Sequence, residues 1–112
     1  KHRLVNWRGR FGKVVCSVVD PHPFSERDQD KAIGFMEMAF PEHKADIALL
    51  ILDRGDCIKV SIRSGEDAPM VAELLAEHFG GGGRDDHVAA FYRSNIGTSA
   101  ERVFGELNGF LS

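Results

Sequence analysis

Apolar residues follow three patterns along this chain. Residues 14–19 and 47–52 are almost continuously apolar, which is typical of strands buried on both faces of a sheet. Residues 57–63 alternate instead, with apolar side chains on one side at Ile58, Val60 and Ile62. The strands predicted from these patterns and from shorter apolar runs cover residues 3–8, 13–20, 47–52, 57–63 and 88–92.

Three further segments repeat apolar residues every three or four positions, which predicts amphipathic helices. They run from Ser25 to Phe40, over residues 68–79 and over residues 99–111. Ser25 and Asp67 are suited to N-cap positions, and Pro41 to ending the first helix. Thr98 and Glu101 have the spacing of a capping box before the third.

The order of these elements predicts the fold class. Strands alternate with helices, and a tight turn at residues 53–56 joins the strands on either side of it as a hairpin. We expect the strands at residues 47–52 and 57–63 to be adjacent and antiparallel. We therefore expect an α/β protein in which residues 1–112 form a single domain, with a mixed sheet flanked by about three helices.

Composition limits the classes of function. The chain has 112 residues, 43% of them hydrophobic and 28% charged, and a net charge of −3, so any anion site must come from a local cluster of cations. Cys16 and Cys57 lack the spacing of a zinc or redox pair and fit a reducing compartment. With no apolar run of membrane-spanning length, we expect a cytoplasmic protein that does not enter a membrane.

The most distinctive stretch is a run of glycines between the second helix and the last strand. It consists of Gly80, Gly81, Gly82 and Gly83, followed by Arg84 and, after two acidic residues, His87. Because the glycines follow a helix rather than precede one, this is neither a P-loop nor a dinucleotide fingerprint. Such a run either forms a ligand-contacting loop or simply ends the helix and turns the chain.

Anion binding is the chemistry that these residues support best. The glycine amides, Arg84 and His87 are donors, and the polar side of the strand at 57–63 adds a second group of donors at Lys59, Ser61, Arg63 and Ser64. A convincing metal cluster or activated nucleophile does not emerge from the spacing. A small stand-alone enzyme that uses His87 with Asp85 or Asp86 is the last-ranked alternative.

Together these motifs resemble one known family. The strand ending in Val60-Ser61-Ile62-Arg63-Ser64, the helix ending in Phe79 before the four glycines, and the pair Ala89-Ala90 are similar to the C-terminal DHH-associated domain of DHH phosphoesterases. That family carries the patterns V-S-x-R-S, F-G-G-G-G-H and A-A-G. The resemblance covers residues 46–92 well, whereas residues 1–45 agree only in the order of their elements.

The resemblance implies a substrate-binding domain. In that family the catalytic residues lie in a separate N-terminal domain with an Asp-His-His motif and manganese or magnesium, and this chain contains no such triplet. The chain would thus be the C-terminal part of a longer phosphoesterase, without a metal cofactor of its own. Its partners would be the catalytic domain in cis and a phosphate-containing substrate such as a nucleotide, short oligonucleotide or polyphosphate. The residues that would contact this substrate are Arg63, Ser64, Gly80, Gly81, Gly82, Gly83, Arg84 and His87.

Two departures from the family pattern concern the glycine run. The family places His directly after the glycines, where this chain has Arg84, and Gly after Ala-Ala, where this chain has Phe91. Either Arg84 replaces the histidine, or the loop is longer and His87 takes that role. The main alternative function is a structural or dimerising α/β module that binds no ligand at the glycines. Its partner would then be a second copy of the same chain, in a homodimer.

Overall fold

The apolar runs and the alternating segments assemble into one six-stranded mixed sheet. The structure, a computed structural model, describes residues 2–19, 26–66, 70–85 and 87–112. The strands are β1 (His2–Gly9), β2 (Gly12–Val19), β3 (Ile47–Asp53), β4 (Ile58–Ser64), β5 (Gly82–Asp85) and β6 (Val88–Arg93). The helices are α1 (Glu26–His43), α2 (Val71–His78) and α3 (Ala100–Leu111). The predicted fold class is confirmed.

The strand order across the sheet is β1-β2-β3-β4-β6-β5. The β2–β3 pair is parallel and the other neighbours are antiparallel. A parallel pair needs a crossover connection, and α1 supplies it. The predicted hairpin joins β3 to β4, where Gly55 adopts φ +89° and its amide donates to Asp53 Oδ1 at 2.9 Å.

The two faces of the sheet are covered unequally. We call the face under α2 and α3 the covered face, because both helices pack there on the inward side chains of β2, β3, β4 and β6. On the opposite face, α1 packs Met36 and Ala39 against Val19, Ala48 and Leu50. Since α1 lies over β2 and β3, those strands are buried on both sides, as their apolar runs predict. β4 alternates instead between buried and half-buried residues.

Three predicted helix boundaries are wrong. α1 continues through Pro41 to His43, although Pro41 has no amide donor of its own. The hydrogen bonding resumes after it, since the Lys44 amide donates to the Phe40 carbonyl at 3.1 Å. The N-cap of α3 is Ser99 rather than Thr98: the Ser99 hydroxyl accepts from the Arg102 amide at 3.2 Å. α2 begins at Val71 with Met70 as its N-cap, three residues later than the predicted start at residue 68. The predicted caps Ser25 and Asp67 lie outside the described residues.

The last two strands also differ from the sequence prediction. The glycine run is not wholly a loop, because Gly82 and Gly83 belong to β5 and pair with Ala90 and Ala89. Backbone hydrogen bonding needs no side chain, so glycines can extend a sheet at its edge. β6 is buried on one side only, with Phe91 1% exposed and Tyr92 58% exposed. Within the described ranges, none of the helices has the length and apolar composition to cross a membrane.

Candidate functional site

The part of the sheet that α1 leaves uncovered carries polar side chains from β4. Side chains alternate along a strand, so Ile58, Val60 and Ile62 are fully buried on the covered face, while Lys59, Ser61 and Arg63 point to the opposite one. The neighbouring strand places Tyr92, Ala90 and Val88 directly beside them, in that order. Three residues of β4 and three of β6, side by side, therefore form an open surface next to α1.

This surface is a groove with a volume of about 520 Å³. We call it the β4–β6 groove. Its lining residues come from α1, β3, β4 and β6: Met36, Leu50, Lys59, Ser61, Ile62, Arg63, Val88, Ala89, Ala90 and Tyr92. The middle of its floor is made by Ser61 and Ala90, both small, and the next residue across the sheet is Gly82 of the edge strand. The larger side chains stand at its two ends.

Among the side chains that the structure describes, the two charged ones lining the β4–β6 groove are both positive. They belong to Lys59 and Arg63, which lie on one strand about 13 Å apart, four residues at roughly 3.3 Å each. Lys59 Nζ lies 5.8 Å from the ring centroid of Tyr92. In the described part of the chain the salt bridges are Arg3–Glu101 and Arg93–Glu106, so no ion pair seen there neutralises either cation of the groove. The groove suits an anion.

A second concavity lies at the end of β4 and has the opposite character. This end pocket has a volume of about 580 Å³ and is lined by Phe40, Ala45, Asp46, Ser64, Gly65, Glu66 and His87. It contains two carboxylates, although Asp46 Oδ2 accepts a hydrogen bond from the Lys13 amide at 2.7 Å. Two acidic side chains oppose the binding of a phosphate. The end pocket is thus less suited to an anion than the groove.

Ser64 and His87, both predicted substrate contacts, meet at this end pocket. The Ser64 amide donates to the His87 carbonyl at 2.9 Å, and His87 Nδ1 lies 3.2 Å from the Ser64 carbonyl oxygen. Ser64 is 5% exposed, whereas the His87 side chain is exposed. Arg63, one residue earlier, points to the open face and lines the groove instead. Ser64 and His87 therefore lie together at the end pocket, and Arg63 lies in the adjacent β4–β6 groove.

Gly80 and Gly81 end α2 and pack against β6. Gly80 has φ +87°, and the Gly81 amide reaches back to the Ala76 carbonyl at 2.7 Å, the pattern of a Schellman helix end. A Cβ at Gly81 would overlap the Ala90 carbonyl oxygen and lie 2.5 Å from Phe91 Cβ. Helix termination and close packing account for both glycines without a ligand.

Gly82 and Gly83 lie two strands away from β4. Gly82 is aligned with Ala90 and Ser61, and Gly83 with Ala89 and Ile62. Strands are spaced by about 4.8 Å, so these glycines border the groove at the edge of the sheet, roughly 10 Å from β4. Arg84 falls in the irregular stretch between Gly83 and Asp85, and its side chain is outside the described part of the chain.

The residues of the stand-alone enzyme alternative are only partly described. Asp86 and the side chain of Asp85 lie outside the described residues, so the structure does not place them relative to His87. Among the described side chains, no group of three or more His, Cys, Asp and Glu residues has the arrangement needed to hold a metal ion.

The two cysteines are unpaired and lie apart from the groove. Cys16 is fully buried in β2, and burial raises the pKa of its thiol to about 12. Cys57 is half-buried in the residue before β4. Burial, followed by the nearby carboxylate of Asp56, raises the pKa of this thiol as well. A raised pKa lowers the thiolate fraction at neutral pH, so neither cysteine is an activated nucleophile.

Sequence reasoning missed Tyr92 as a site residue. Residues 88–92 are all apolar or aromatic, a pattern that predicts a short buried strand and so gives no reason to place Tyr92 at a site. The alternation of β6 puts Ala89 and Phe91 inside and leaves Ala90 and Tyr92 on the face that carries Arg63. The signal in the sequence is that Ala90 and Tyr92, two residues apart, share one face of the strand. The small side chain of Ala90 next to the large ring of Tyr92 leaves a recess that a ligand can enter.

No protein-family model matches the sequence, and a search of curated proteins also finds no match. The resemblance to the DHH-associated domain therefore rests on the motifs in residues 46–92 alone.

Proposed function

We propose that this chain is the substrate-binding domain of a DHH-type phosphoesterase and that it holds the phosphate or nucleotide end of the substrate in the β4–β6 groove. The observation that carries the proposal is the position of Arg63. It is a half-buried arginine on a strand inside the sheet, at one end of a groove in which the other charged side chain among the described residues, Lys59, is also positive. A cytoplasmic location is part of the same proposal and is supported by the two free cysteines.

Arg63 is suited to this role by its chemistry and by its support. A guanidinium offers a planar fork of donors that matches a phosphate, and a charge-assisted hydrogen bond is stronger than a neutral one. The strand that carries it is paired on both sides, with Ala48 and Val88 as the partners of Arg63. A backbone held in this way limits the ordering cost of binding.

Hydrolysis is assigned to a partner domain in cis. A phosphoesterase of this type uses Mn²⁺ or Mg²⁺ to polarise the phosphoryl oxygen and to activate water. The family resemblance places those ligands in an Asp-His-His domain that would precede this chain. This domain would bind the substrate and present the scissile bond, and it would not hydrolyse phosphoesters alone.

The proposal is tested by NMR titration of the ¹⁵N-labelled domain with mononucleotides, short oligonucleotides and tripolyphosphate. We expect shifts confined to the groove and its borders, namely residues 59–64 and 87–92 and the edge strand. A parallel assay with Mn²⁺ should leave the same ligands intact. If no shifts occur at millimolar ligand, or if they cluster on α3, the substrate-binding role is rejected. Turnover that is lost in His87→Ala would support the stand-alone enzyme instead.

One observation favours a structural or dimerising module as the second candidate. β1 is an edge strand of eight residues, and in the described part of the chain β2 is its one neighbour in the sheet. An edge strand presents unpaired backbone groups to a second chain. Sedimentation at increasing protein concentration, with and without ligand, separates the two functions. A dimer that forms without ligand and is lost on replacing Asn6 with proline would favour the second.

A further inference from the structure

The hairpin of β1 and β2 differs in charge from the rest of the chain. Residues 1–19 contain five of the 14 lysines and arginines and none of the 17 acidic residues. Two of these cations, Arg8 and Lys13, lie directly opposite each other in the hairpin and belong to none of the ion pairs seen among the described residues. Like charges in that position destabilise a sheet, so an acidic partner would stabilise this one.

The same hairpin has a free edge, because β1 stands at the end of the strand order. Gly9 lies opposite Gly12 with two residues between them, and in such a hairpin the two flanking residues exchange both backbone hydrogen bonds. Antiparallel pairs alternate from there, so the amides and carbonyls of Leu4, Asn6 and Arg8 point away from β2. The side chains of these three residues are also exposed.

From these two features we infer that β1 binds an acidic, extended segment of a partner protein, which adds to the six-stranded sheet as one more strand. In strand addition of this kind, main-chain hydrogen bonds supply affinity and alternate side chains supply specificity. The inference is independent of the proposed function, since β2 and β3 separate β1 from β4 and its groove.

The side chains around the edge indicate the sequence pattern of the partner. An acidic residue placed opposite Arg8 would lie on the face of the sheet that also carries Lys13, so it would meet two cations. The residues before and after it would point to the other face, beside the half-buried Val5 and Trp7. That position favours apolar side chains, so the partner segment should alternate acidic and apolar residues.

Two other occupants fit this edge less well. A second copy of the chain would bring its own cations to the same edge, and like charges repel each other. A nucleic-acid strand would contact the cations, but it has no peptide backbone to pair with the row of amides and carbonyls. Positive charge combined with unpaired backbone groups therefore favours an acidic peptide.

The test uses three probes of known composition. The first is a ten-residue peptide in which valine and glutamate alternate. The second is the same peptide with each glutamate amide N-methylated, which keeps the charge and removes the donors that would face β1. The third is a single-stranded oligothymidylate of ten nucleotides. Binding is measured by NMR titration of the ¹⁵N-labelled chain.

We expect the first peptide to bind and to shift residues 3–9. N-methylation and Asn6→Pro should each weaken its binding by about 10-fold or more, since each removes hydrogen bonds along the edge. Arg8→Ala should weaken it roughly 2-fold to 5-fold, the range for one exposed ion pair. Asn6→Ala, which keeps the amide, and Arg54→Ala, an exposed cation in the turn between β3 and β4, should bind like wild type.

Hydrogen exchange gives a second measurement that does not depend on a variant. In the free protein the outward amides of Leu4, Asn6 and Arg8 should exchange fast, and the amides of Val5 and Trp7, which face β2, should exchange slowly. The bound peptide should slow exchange at the first three. Charge attraction alone does not produce protection at alternate residues, so this pattern identifies strand addition.

Four results would overturn the inference. If the N-methylated peptide binds as tightly as the parent, or if the three outward amides gain no protection, the contact is charge attraction only. Tighter binding of the oligothymidylate would assign the hairpin to nucleic acid. Protection that rises with protein concentration in the absence of peptide would assign the edge to a second copy. If β1 shows no shifts while tripolyphosphate still shifts residues 59–64, this inference fails and the proposed function stands.

Discussion

Ser64 and His87 are joined in both directions at the point where β4 ends and β6 begins. The Ser64 amide donates to the His87 carbonyl at 2.9 Å, and His87 Nδ1 lies 3.2 Å from the Ser64 carbonyl oxygen. A carbonyl only accepts, so Nδ1 must carry a proton and the neutral ring is the Nδ1–H tautomer. The histidine side chain thus extends the ladder between the two strands by one bond.

Replacing His87 with alanine should loosen this junction without unfolding the protein. The backbone bond remains and the side-chain bond is lost, so we expect the free energy of unfolding to fall by about 0.5–1 kcal/mol. Hydrogen exchange of the Ser64 amide should speed up more than that of Val60, in the middle of the same strand. Equal acceleration at both amides would show that the ring does not stabilise the strand end locally.

Arg63→Ala should weaken the binding of phosphate ligands roughly 10-fold to 100-fold, because a charge-assisted hydrogen bond contributes about 1.5–3 kcal/mol. Arg63→Lys should recover part of this, since lysine keeps the charge but not the planar fork. Arg102→Ala is the matched control: Arg102 is an exposed cation on α3, away from the groove. Isothermal titration with tripolyphosphate measures all three. Equal losses in Arg63→Ala and Arg102→Ala would point to non-specific charge attraction.

The glycines that follow α2 should affect stability before they affect binding. Gly81→Ala would force a methyl group against Ala90 and Phe91, and overpacking of this kind costs about 1–3 kcal/mol. The matched control is Gly105→Ala in α3, where an added Cβ meets nothing within 4 Å. It should stabilise the protein by about 0.5–1 kcal/mol. Urea unfolding measures both, and a neutral Gly81→Ala would contradict the packing at β6.

Stability should fall at alkaline pH because of Cys16. Burial raises the pKa of its thiol from 9.0 to about 12, so above pH 9 the unfolded chain ionises while the folded chain does not. The stabilisation is complete below pH 9 and is lost as the pH rises towards 12, by up to about 1.4 kcal/mol per pH unit. Cys16→Val removes the titrating group but keeps an apolar side chain.

The measurement is the difference in unfolding free energy between wild type and Cys16→Val from pH 8 to 11. Both proteins keep Cys57 and all lysines, whose titration cancels in the difference. Above pH 9 the unfolding free energy of wild type should fall steadily relative to that of Cys16→Val. A constant gap across the whole range would mean that the Cys16 thiol is not protected from ionisation in the folded state.

Local pattern alone determined most of the sheet. Residues 47–52 are apolar throughout and residues 14–19 are apolar except for Ser17. This composition is typical of strands buried on both faces of a sheet, so the sequence alone predicted that burial. The alternation of residues 58–63 likewise predicted that Arg63 and Ile62 lie on opposite faces of the sheet, because successive side chains on a strand point to opposite faces. The hairpin at Gly55 followed from turn chemistry. These features depend on interactions within a few residues of the chain.

Tertiary structure decided which surface is open and what borders it. The polarity of β4 does not reveal that α1 stops short of it, because that depends on where the crossover helix packs. The glycine run reads as a loop until β6 is placed beside it, since glycine has no side chain to signal strand pairing and its backbone bonds are long-range. Tyr92 became part of the groove for the same reason: only the β4–β6 register puts its ring next to Lys59 and on the face of Arg63.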